Sequence, residues 1–139
     1  MLDVADPDDV HEANASFYAA FEARDLDAMA DVWERSDRVS VTHPGWPTLR
    51  GWARVAGSWQ AIFSATPFIQ FVLTDEEVLV DGEVAMVTLD ENILQSAAAS
   101  GQEGELAGAR VATTNVFVRR AGRWQMVNHH GSQVHREAP

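Results

Sequence analysis

The sequence contains no cysteine and no lysine, and all ten of its basic residues are arginines. Without cysteine the chain cannot form a disulfide or offer a thiol nucleophile, and its redox compartment is not encoded. Without lysine it cannot form a Schiff base with a carbonyl substrate or pyridoxal phosphate, and it lacks the lysine of a phosphate-binding GK[ST] loop. Any chemistry must therefore come from His, Asp, Glu, Tyr, Ser or Thr.

Basic charge is also scarce, with 10 basic residues against 21 acidic ones and a formal net charge of −11. Eleven of the acids lie within residues 1–37, which hold two arginines. Such a charge repels nucleic acid and anionic membrane surfaces, and no apolar run approaches the ~20 residues of a membrane span. The acidic start, MLDVADPDDVHEA, is unlike a signal peptide. We therefore expect no nucleic-acid or membrane partner and a cytoplasmic location.

Three helices are predicted in the first half of the chain. Apolar residues recur at helical spacing over residues 6–25, and the Asp-rich start suits the positive end of a helix dipole. Asp25 can cap a second helix, which carries an apolar stripe from Leu26 to Trp33. The segment WARVAGSWQAIFSA, residues 52–65, predicts a third helix with tryptophans on its apolar side.

Strands are predicted mainly after the third helix, with turn signals between them. RVSVTHP alternates and stops at Pro44, which predicts one short strand before that helix. Asp81-Gly82 and Ala121-Gly122 each link two apolar runs and predict hairpins. The small, polar, glycine-rich residues 97–108 predict a mobile loop. Helices followed by antiparallel strands indicate one α+β domain over residues 1–139, with helices on one face of a sheet.

The second predicted hairpin is apolar on both of its faces. Residues 111–118 carry apolar side chains at odd and even positions, whereas a strand with one wet face alternates more cleanly. Something must cover the face away from the helices, and a second subunit is the economical candidate. We therefore expect a homodimer that forms through the outer face of the sheet.

Three segments carry a resemblance to a known family: FYAAFEARDLDAMADVWERSDRVSVTHPG, LRGWARVAGSWQAIF and TTNVFVRRAGRWQMVNHHGS. They resemble the SnoaL-like and ketosteroid-isomerase-like proteins of the nuclear transport factor 2-like superfamily. The resemblance implies a cone-shaped, curved antiparallel sheet packed on three N-terminal helices, a cystatin-like fold with a pocket at its open end. It also implies dimerisation through the outer sheet face. It does not define an activity, because the superfamily includes isomerases, cyclases, dehydratases and catalytically silent domains.

The resemblance also shows which catalytic groups of the steroid isomerases are missing here. Their hydrogen-bonding tyrosine falls on Phe17, with Tyr18 one position away. Their catalytic aspartate falls on His43, and their protonated aspartate falls near Thr114 and Asn115. An Asp base with an oxyanion hole of Tyr and neutral Asp therefore cannot operate in this chain.

Histidine can move a proton near neutral pH without unusual tuning. His43 occupies the position of the family's catalytic base. The alternative is that the His43 ring is structural and forms a hydrogen bond with the following loop. His129 and His130 are adjacent on a strand, so they point to opposite faces and cannot share a metal ion. Alternation groups His130 with Trp124 and Met126 but does not say which group faces inward. We expect His130 in the cavity, because the family's closing strand usually keeps the second histidine; the alternative is a packed ring bonded to backbone.

Other polar and aromatic residues are candidates for the lining of a pocket. Glu91 lies in mid-strand, where an inward carboxylate needs a partner and would orient a pocket histidine, unless a bulge lets it reach water. Asn115 is either a polar group with an orienting role in the pocket or a strand residue at the rim of the pocket. Five tryptophans are many for 139 residues, and apolar walls with few polar groups are typical of small-molecule pockets. The predicted substrate-binding residues are Trp46, Trp59, Phe63, Tyr18, Glu91 and Asn115, while Trp33 and Trp124 are assigned to the core.

Two functions are consistent with these residues. One is an enzyme of isomerase, cyclase or dehydratase type that acts on an apolar, carbonyl-bearing small molecule. His43 would then be its base, and His130 and Asn115 would position or stabilise a developing oxyanion. The other is a non-catalytic ligand-binding or dimeric assembly module of the same fold. We expect no cofactor, because no nucleotide fingerprint is present, and no metal, because no spacing signature unites His43, His130 and Glu91.

Overall fold

The computed structural model of the protein describes residues 6–96 and 106–135. Within this range three helices pack on a curved six-stranded sheet, which confirms the predicted α+β class. None of these helices is long and apolar enough to cross a membrane. The helices are α1 Pro7–Ala23, α2 Leu26–Val32 and α3 Trp52–Ala65, and the strands are β1 Ser40–Thr42, β2 Leu49–Arg50, β3 Ile69–Asp81, β4 Val84–Ser96, β5 Leu106–Arg120 and β6 Arg123–Gln133.

Capping residues explain where the first two helices begin and end. The Asp6 side chain accepts a hydrogen bond from the Asp8 backbone N–H at 2.9 Å, which caps α1. The helix ends at Ala23 and is capped by Arg24, which has a left-handed backbone with φ 51°. Asp25 then caps α2 as predicted, accepting from the Ala28 N–H at 3.1 Å. This tight corner packs α2 against α1.

The sheet has the strand order β2-β1-β6-β5-β4-β3. Each neighbouring pair is antiparallel except β1 and β6, which run parallel. Both predicted hairpins are present, the first turning at Gly82 and the second at Ala121-Gly122, and all three residues have positive φ. Of the predicted loop over residues 97–108, residues 106–108 belong to β5, and residues 97–105 lie outside the described part of the chain.

A β-bulge in β6 decides which of the adjacent histidines faces the helices. The register between β5 and β6 slips at Val127, which is an extra residue on β6. Before the bulge Trp124 and Met126 are buried, and after it His129 is buried while His130 is exposed. The prediction that His130 faces the cavity is therefore wrong. Alternation assumes an unbroken ladder, and one extra residue exchanges the two faces for the rest of the strand.

The core lies between the helices and the inner face of the sheet. Trp33, Trp59, Phe17 and Phe117 are all fully buried there. Trp124 is 7% exposed, so both tryptophans that the sequence assigned to the core are located in it. Burying one such side chain stabilises the fold by about 1.5–3 kcal/mol. The outer face of the sheet, by contrast, carries exposed apolar side chains, and they are Val72, Leu79, Val84, Met86, Leu94 and Leu106.

Candidate active site

Buried polar side chains concentrate between the helices and the inner face of the sheet. Asn14 and Tyr18 come from α1, Glu91 from β4, Asn115 from β5 and His129 from β6, and each is at most 4% exposed. Burying a polar group costs free energy unless it is hydrogen-bonded. Five such groups in one place, three of them (Tyr18, Glu91 and His129) with strongly shifted pKa values, mark a candidate functional site.

These five side chains form a directed series of hydrogen bonds, which we call the buried polar chain. His129 Nδ1–H donates to Asn115 Oδ1 at 2.6 Å, since an amide oxygen can only accept. Asn115 Nδ2 donates to Asn14 Oδ1 at 2.9 Å and to the Tyr18 hydroxyl at 3.2 Å. Tyr18 donates in turn to Glu91 Oε2 at 2.6 Å. The chain links an imidazole to a carboxyl and holds the ring proton of His129 on Nδ1.

His43 follows β1 directly and lies beside this chain. Its Nε2 is 2.9 Å from Ser58 Oγ. The Ser58 hydroxyl donates its proton to the Val55 carbonyl at 2.7 Å, so it can only accept from His43, whose ring proton is therefore on Nε2. The ring centroids of His43 and His129 are 6.2 Å apart. Two imidazoles of fixed tautomer thus lie next to each other inside the protein.

Burial shifts the pKa values of the titratable groups in the site. It lowers the pKa of His43 to about 4. It also lowers the pKa of His129 to about 3, and the charges of His43 and His130 lower that pKa further. It raises the pKa of Glu91 to about 7, against the opposing effect of the hydrogen bond from Tyr18. Both rings are therefore neutral at pH 7, while the carboxyl exchanges its proton near neutrality.

Aromatic rings surround the two histidines. Trp59 is fully buried, with its ring 4.8 Å from that of His43 and 5.8 Å from that of His129. Phe63 is half-buried and packs 5.8 Å from Trp59. Trp46 contacts His43 in an edge-on arrangement at 5.0 Å and is 40% exposed. The polar groups are thus enclosed by apolar walls, with one partly exposed ring on the outer side.

The structure brings seven of the eight predicted site residues into this region and places one outside it. His130 lies on the outer face of the sheet, in a surface cleft that Asp90 and Thr114 also line. Among the described residues, no group of three or more His, Asp or Glu side chains is arranged to hold a metal ion. The residues that lie together are His43, Trp46, Trp59, Phe63, Tyr18, Glu91 and Asn115.

Sequence reasoning missed Asn14 and Ser58. Both lie within the apolar stripes of their helices, Asn14 between Val10 and Phe17 on α1 and Ser58 next to Trp59 on α3. A polar residue inside an apolar stripe must find a partner in the core. That position was the available signal, and no partner could be named from the sequence.

Solved structures of other proteins share this fold. A candidate dehydratase of the NTF2-like family from Streptomyces avermitilis is 38% identical, with a TM-score of 0.84 over 93% of this chain and 96% of that chain. A candidate calcium/calmodulin-dependent protein kinase type II association domain from Thiobacillus denitrificans is 34% identical, with a TM-score of 0.77 over 89% and 94% of the two chains. A ketosteroid isomerase-like protein from Erwinia carotovora atroseptica is 18% identical with a TM-score of 0.76 over 93% and 96% of the chains, a similarity of fold alone.

Sequence comparison gives one relative and one family. The F-box protein SKIP8 of Arabidopsis thaliana is 29% identical over 119 residues, which are 86% of this chain. The chain spans about half, 47%, of the length of that relative. The model of the SnoaL-like domain matches residues 10–136. Since that match takes in nearly all of the sequence and the fold agrees, the protein belongs to the SnoaL-like domain family of the NTF2-like superfamily.

Proposed function

We propose that the protein is an enzyme that moves protons on an apolar, carbonyl-bearing small molecule, in a reaction of isomerase, cyclase or dehydratase type. The observation that carries the proposal is the buried polar chain from His129 to Glu91, which lies beside His43. Together with His43, this chain combines two neutral imidazoles with a carboxyl whose pKa is about 7. The 38% identity to a candidate dehydratase favours elimination of water within this group of reactions.

His43 is the proposed base. Its Nε2–H donates to Ser58, so the lone pair of Nδ1 can take a proton from the carbon next to a substrate carbonyl. In a dehydration the C–H electrons form the new double bond, the C–O bond breaks, and the proton held by His43 leaves with the hydroxyl as water. Since burial lowers the pKa of His43 to about 4, the charged ring releases that proton readily.

Asn115 and Glu91 act in this proposal through His129. Asn115 is a positioning residue, since its amide oxygen holds the ring proton of His129 on Nδ1. The chain of donors then ends on Glu91, which can gain or lose a proton near neutral pH while the order of the hydrogen bonds is kept. His129 cannot take over the role predicted for His130, which was to position or stabilise a developing oxyanion. A neutral His129 presents a lone pair to a ligand and no hydrogen-bond donor.

Deuterium exchange tests the proposed enzyme. Purified protein is incubated in D2O with a panel of apolar ketones and β-hydroxy ketones, and NMR follows deuterium at the α-carbon and the appearance of the conjugated enone. Loss of a general acid-base group lowers such rates by about 10²–10⁴-fold. We therefore expect a loss of that size in His43→Gln.

The chain offers a matched control for the histidine variants. His129→Gln is expected to slow exchange, whereas His130→Gln, one residue further on but exposed on the outer face, should leave the rate unchanged. Circular dichroism and gel filtration establish that each variant is folded. An exchange rate in folded His43→Gln equal to that of the wild type would contradict the proposed enzyme.

A different observation favours an assembly function, which is compatible with catalysis. Leu79 and Met86 are paired across β3 and β4 on the outer face, and Val84 lies next to them, all three exposed. Exposed apolar patches of this kind mark interaction sites. A relative 34% identical is named as an association domain. We infer that a second copy of this chain covers the outer face.

Sedimentation velocity tests the homodimer. The wild type is expected to sediment as a dimer, and Met86→Arg as a monomer, because an unpaired charge would be buried at the interface. Gln60→Arg adds the same side chain at an exposed position of α3 and should leave the dimer intact. A monomeric wild type, or a dimer that tolerates Met86→Arg, would rule out this interface.

A further inference from the structure

The directions of the hydrogen bonds around the two buried histidines determine which ligand groups they can receive. His43 donates its one ring proton to Ser58, and His129 donates its one ring proton to Asn115. Each neutral ring therefore keeps one lone pair, on Nδ1 of His43 and on Nε2 of His129. Within residues 6–96 and 106–135 no hydrogen bond reaches either nitrogen. The two rings together present acceptors and no donor.

The third ring, next to the two histidines, carries a hydrogen-bond donor. Trp59 is fully buried, and its Nε1–H has no hydrogen-bond partner among the described residues. An indole N–H can only donate, and unpaired buried donors are rare in native proteins. The centroids of the three rings form a triangle with sides of 4.8 Å, 5.8 Å and 6.2 Å. The triangle of His43, His129 and Trp59 thus combines two acceptors with one donor.

We propose that the triangle of His43, His129 and Trp59 binds the hydroxyl group of a neutral ligand, an alcohol, enol or phenol. A hydroxyl donates its proton to an imidazole lone pair and accepts the indole N–H with its oxygen. An ether or ketone oxygen can accept from Trp59 but leaves both imidazoles without a donor. A carboxylate brings lone pairs and a charge toward two lone pairs in a buried region, which is unfavourable.

This inference rests on the proposed function and narrows its substrate class. Among carbonyl compounds it selects those that carry a hydroxyl group or enolise readily. A β-hydroxy carbonyl compound meets the requirement and can also lose water. The selection is set by hydrogen-bond direction alone, so it can be measured by binding, without turnover.

Four one-ring probes separate the chemical possibilities: phenol, anisole, toluene and benzoate. Their binding to the wild type at neutral pH is followed by NMR shifts of the histidine ring nitrogens. We expect phenol to bind tightest, anisole next, then toluene, with benzoate weakest. Phenol should bind roughly ten times more tightly than anisole, which is the effect of one additional hydrogen bond. This order opposes the hydrophobic order, in which toluene binds tightest.

Variants assign the preference to individual atoms. His43→Phe removes one acceptor while Ser58 keeps its bond to the Val55 carbonyl, so the preference for phenol over anisole should shrink several-fold. Trp59→Phe removes the donor, so anisole should no longer bind more tightly than toluene. Trp33→Phe is the matched control, because Trp33 is also fully buried with an unpartnered Nε1. All four affinities should be unchanged in that control.

The outcomes separate this inference from the proposed enzyme. Equal binding of anisole and phenol, tightest binding of benzoate, or no binding of any probe would overturn the hydroxyl site. A phenol preference without deuterium exchange on the ketone panel would contradict the enzyme and support the hydroxyl site. Exchange without a phenol preference would support the enzyme and overturn the hydroxyl site.

Discussion

Asn115 and His129 lie opposite each other on β5 and β6 and are joined by a hydrogen bond of 2.6 Å. The same amide donates to Asn14 and to Tyr18 on α1, residues about a hundred positions earlier in the chain. Asn115 is therefore the junction at which the sheet, the first helix and the buried imidazole meet. The site depends on this residue for its geometry and for the tautomer of His129.

Removal of this junction should destabilise the fold. Asn115→Ala deletes three hydrogen bonds and leaves His129 Nδ1 and Asn14 Oδ1 buried without partners. We expect the free energy of unfolding in urea to fall by about 2–4 kcal/mol. Asn92→Ala provides the control, because Asn92 bonds to β3 on the outer face; it should cost less than about 1 kcal/mol. Equal losses in the two variants would refute the assigned role of Asn115.

Glu91 should make the protein less stable as the pH rises. Its pKa is about 7 in the folded protein against an ordinary value of 4.5, so between these values the folded state binds more protons than the unfolded state. This contribution is present below pH 4.5 and is lost as the pH rises through 7, and it amounts to about 3 kcal/mol. Glu91→Gln still accepts from Tyr18 and cannot ionise.

The measurement is urea unfolding of wild type and Glu91→Gln at about pH 5 and about pH 8. The stability of the variant relative to the wild type should rise by about 2–3 kcal/mol over this interval. If the difference between the two proteins does not change with pH, Glu91 is not a buried carboxyl that ionises near neutrality.

His43 and His129 should stay neutral well below the ordinary pKa of 6.5 for histidine. Ring nitrogen NMR should show an unchanged Nε2–H tautomer for His43 and Nδ1–H tautomer for His129 from about pH 8 to about pH 5. His11, whose pKa the Glu76 carboxylate raises, is the internal control and should titrate above 6.5. Midpoints near 6.5 for both buried rings would contradict the described burial.

The two histidines also affect stability with the opposite sign to Glu91. Because burial lowers their pKa values, the folded state binds fewer protons than the unfolded state below pH 6.5. Their contribution is complete above 6.5 and is lost as the pH falls toward 4 for His43 and toward 3 for His129. Acid unfolding of the wild type should therefore be accompanied by proton uptake at these rings.

Gly131 should not tolerate a side chain. A Cβ at this position would lie 2.9 Å from Val111 Cγ1 and 3.2 Å from Pro44 Cγ. Since Pro44 follows His43, relief of the clash would move the proposed base. Gly131→Ala should lower the free energy of unfolding by about 1–3 kcal/mol. Gly57→Ala in α3 meets no atom within 4 Å and should raise it by about 0.5–1 kcal/mol; destabilisation by both alanines would refute the steric argument.

The sequence by itself determined the elements that depend on neighbours in the chain. The Asp25 cap, the apolar stripes of the helices and the glycine turns at Gly82 and Gly122 act over a few residues, so they could be recognised without a structure. Helices before strands then indicated the α+β class. Glu91 could be chosen as a candidate because a carboxyl group inside an apolar strand needs a partner, whereas the resemblance to the steroid isomerases pointed to the positions of Tyr18 and Asn115.

Only the tertiary structure decided which candidates meet and in which state. One extra residue in β6, Val127, places His129 on the inner face and His130 on the outer face. No property of the neighbouring residues in the sequence predicts that shift in register. The bond between Asn115 and Asn14 joins residues 101 positions apart. The pKa of Glu91 is raised by its burial. Hydrogen bonds between distant residues and the removal of water from buried groups exist only once the chain has packed. For that reason the sequence could indicate the candidate residues, whereas their contacts and protonation states depend on the tertiary structure.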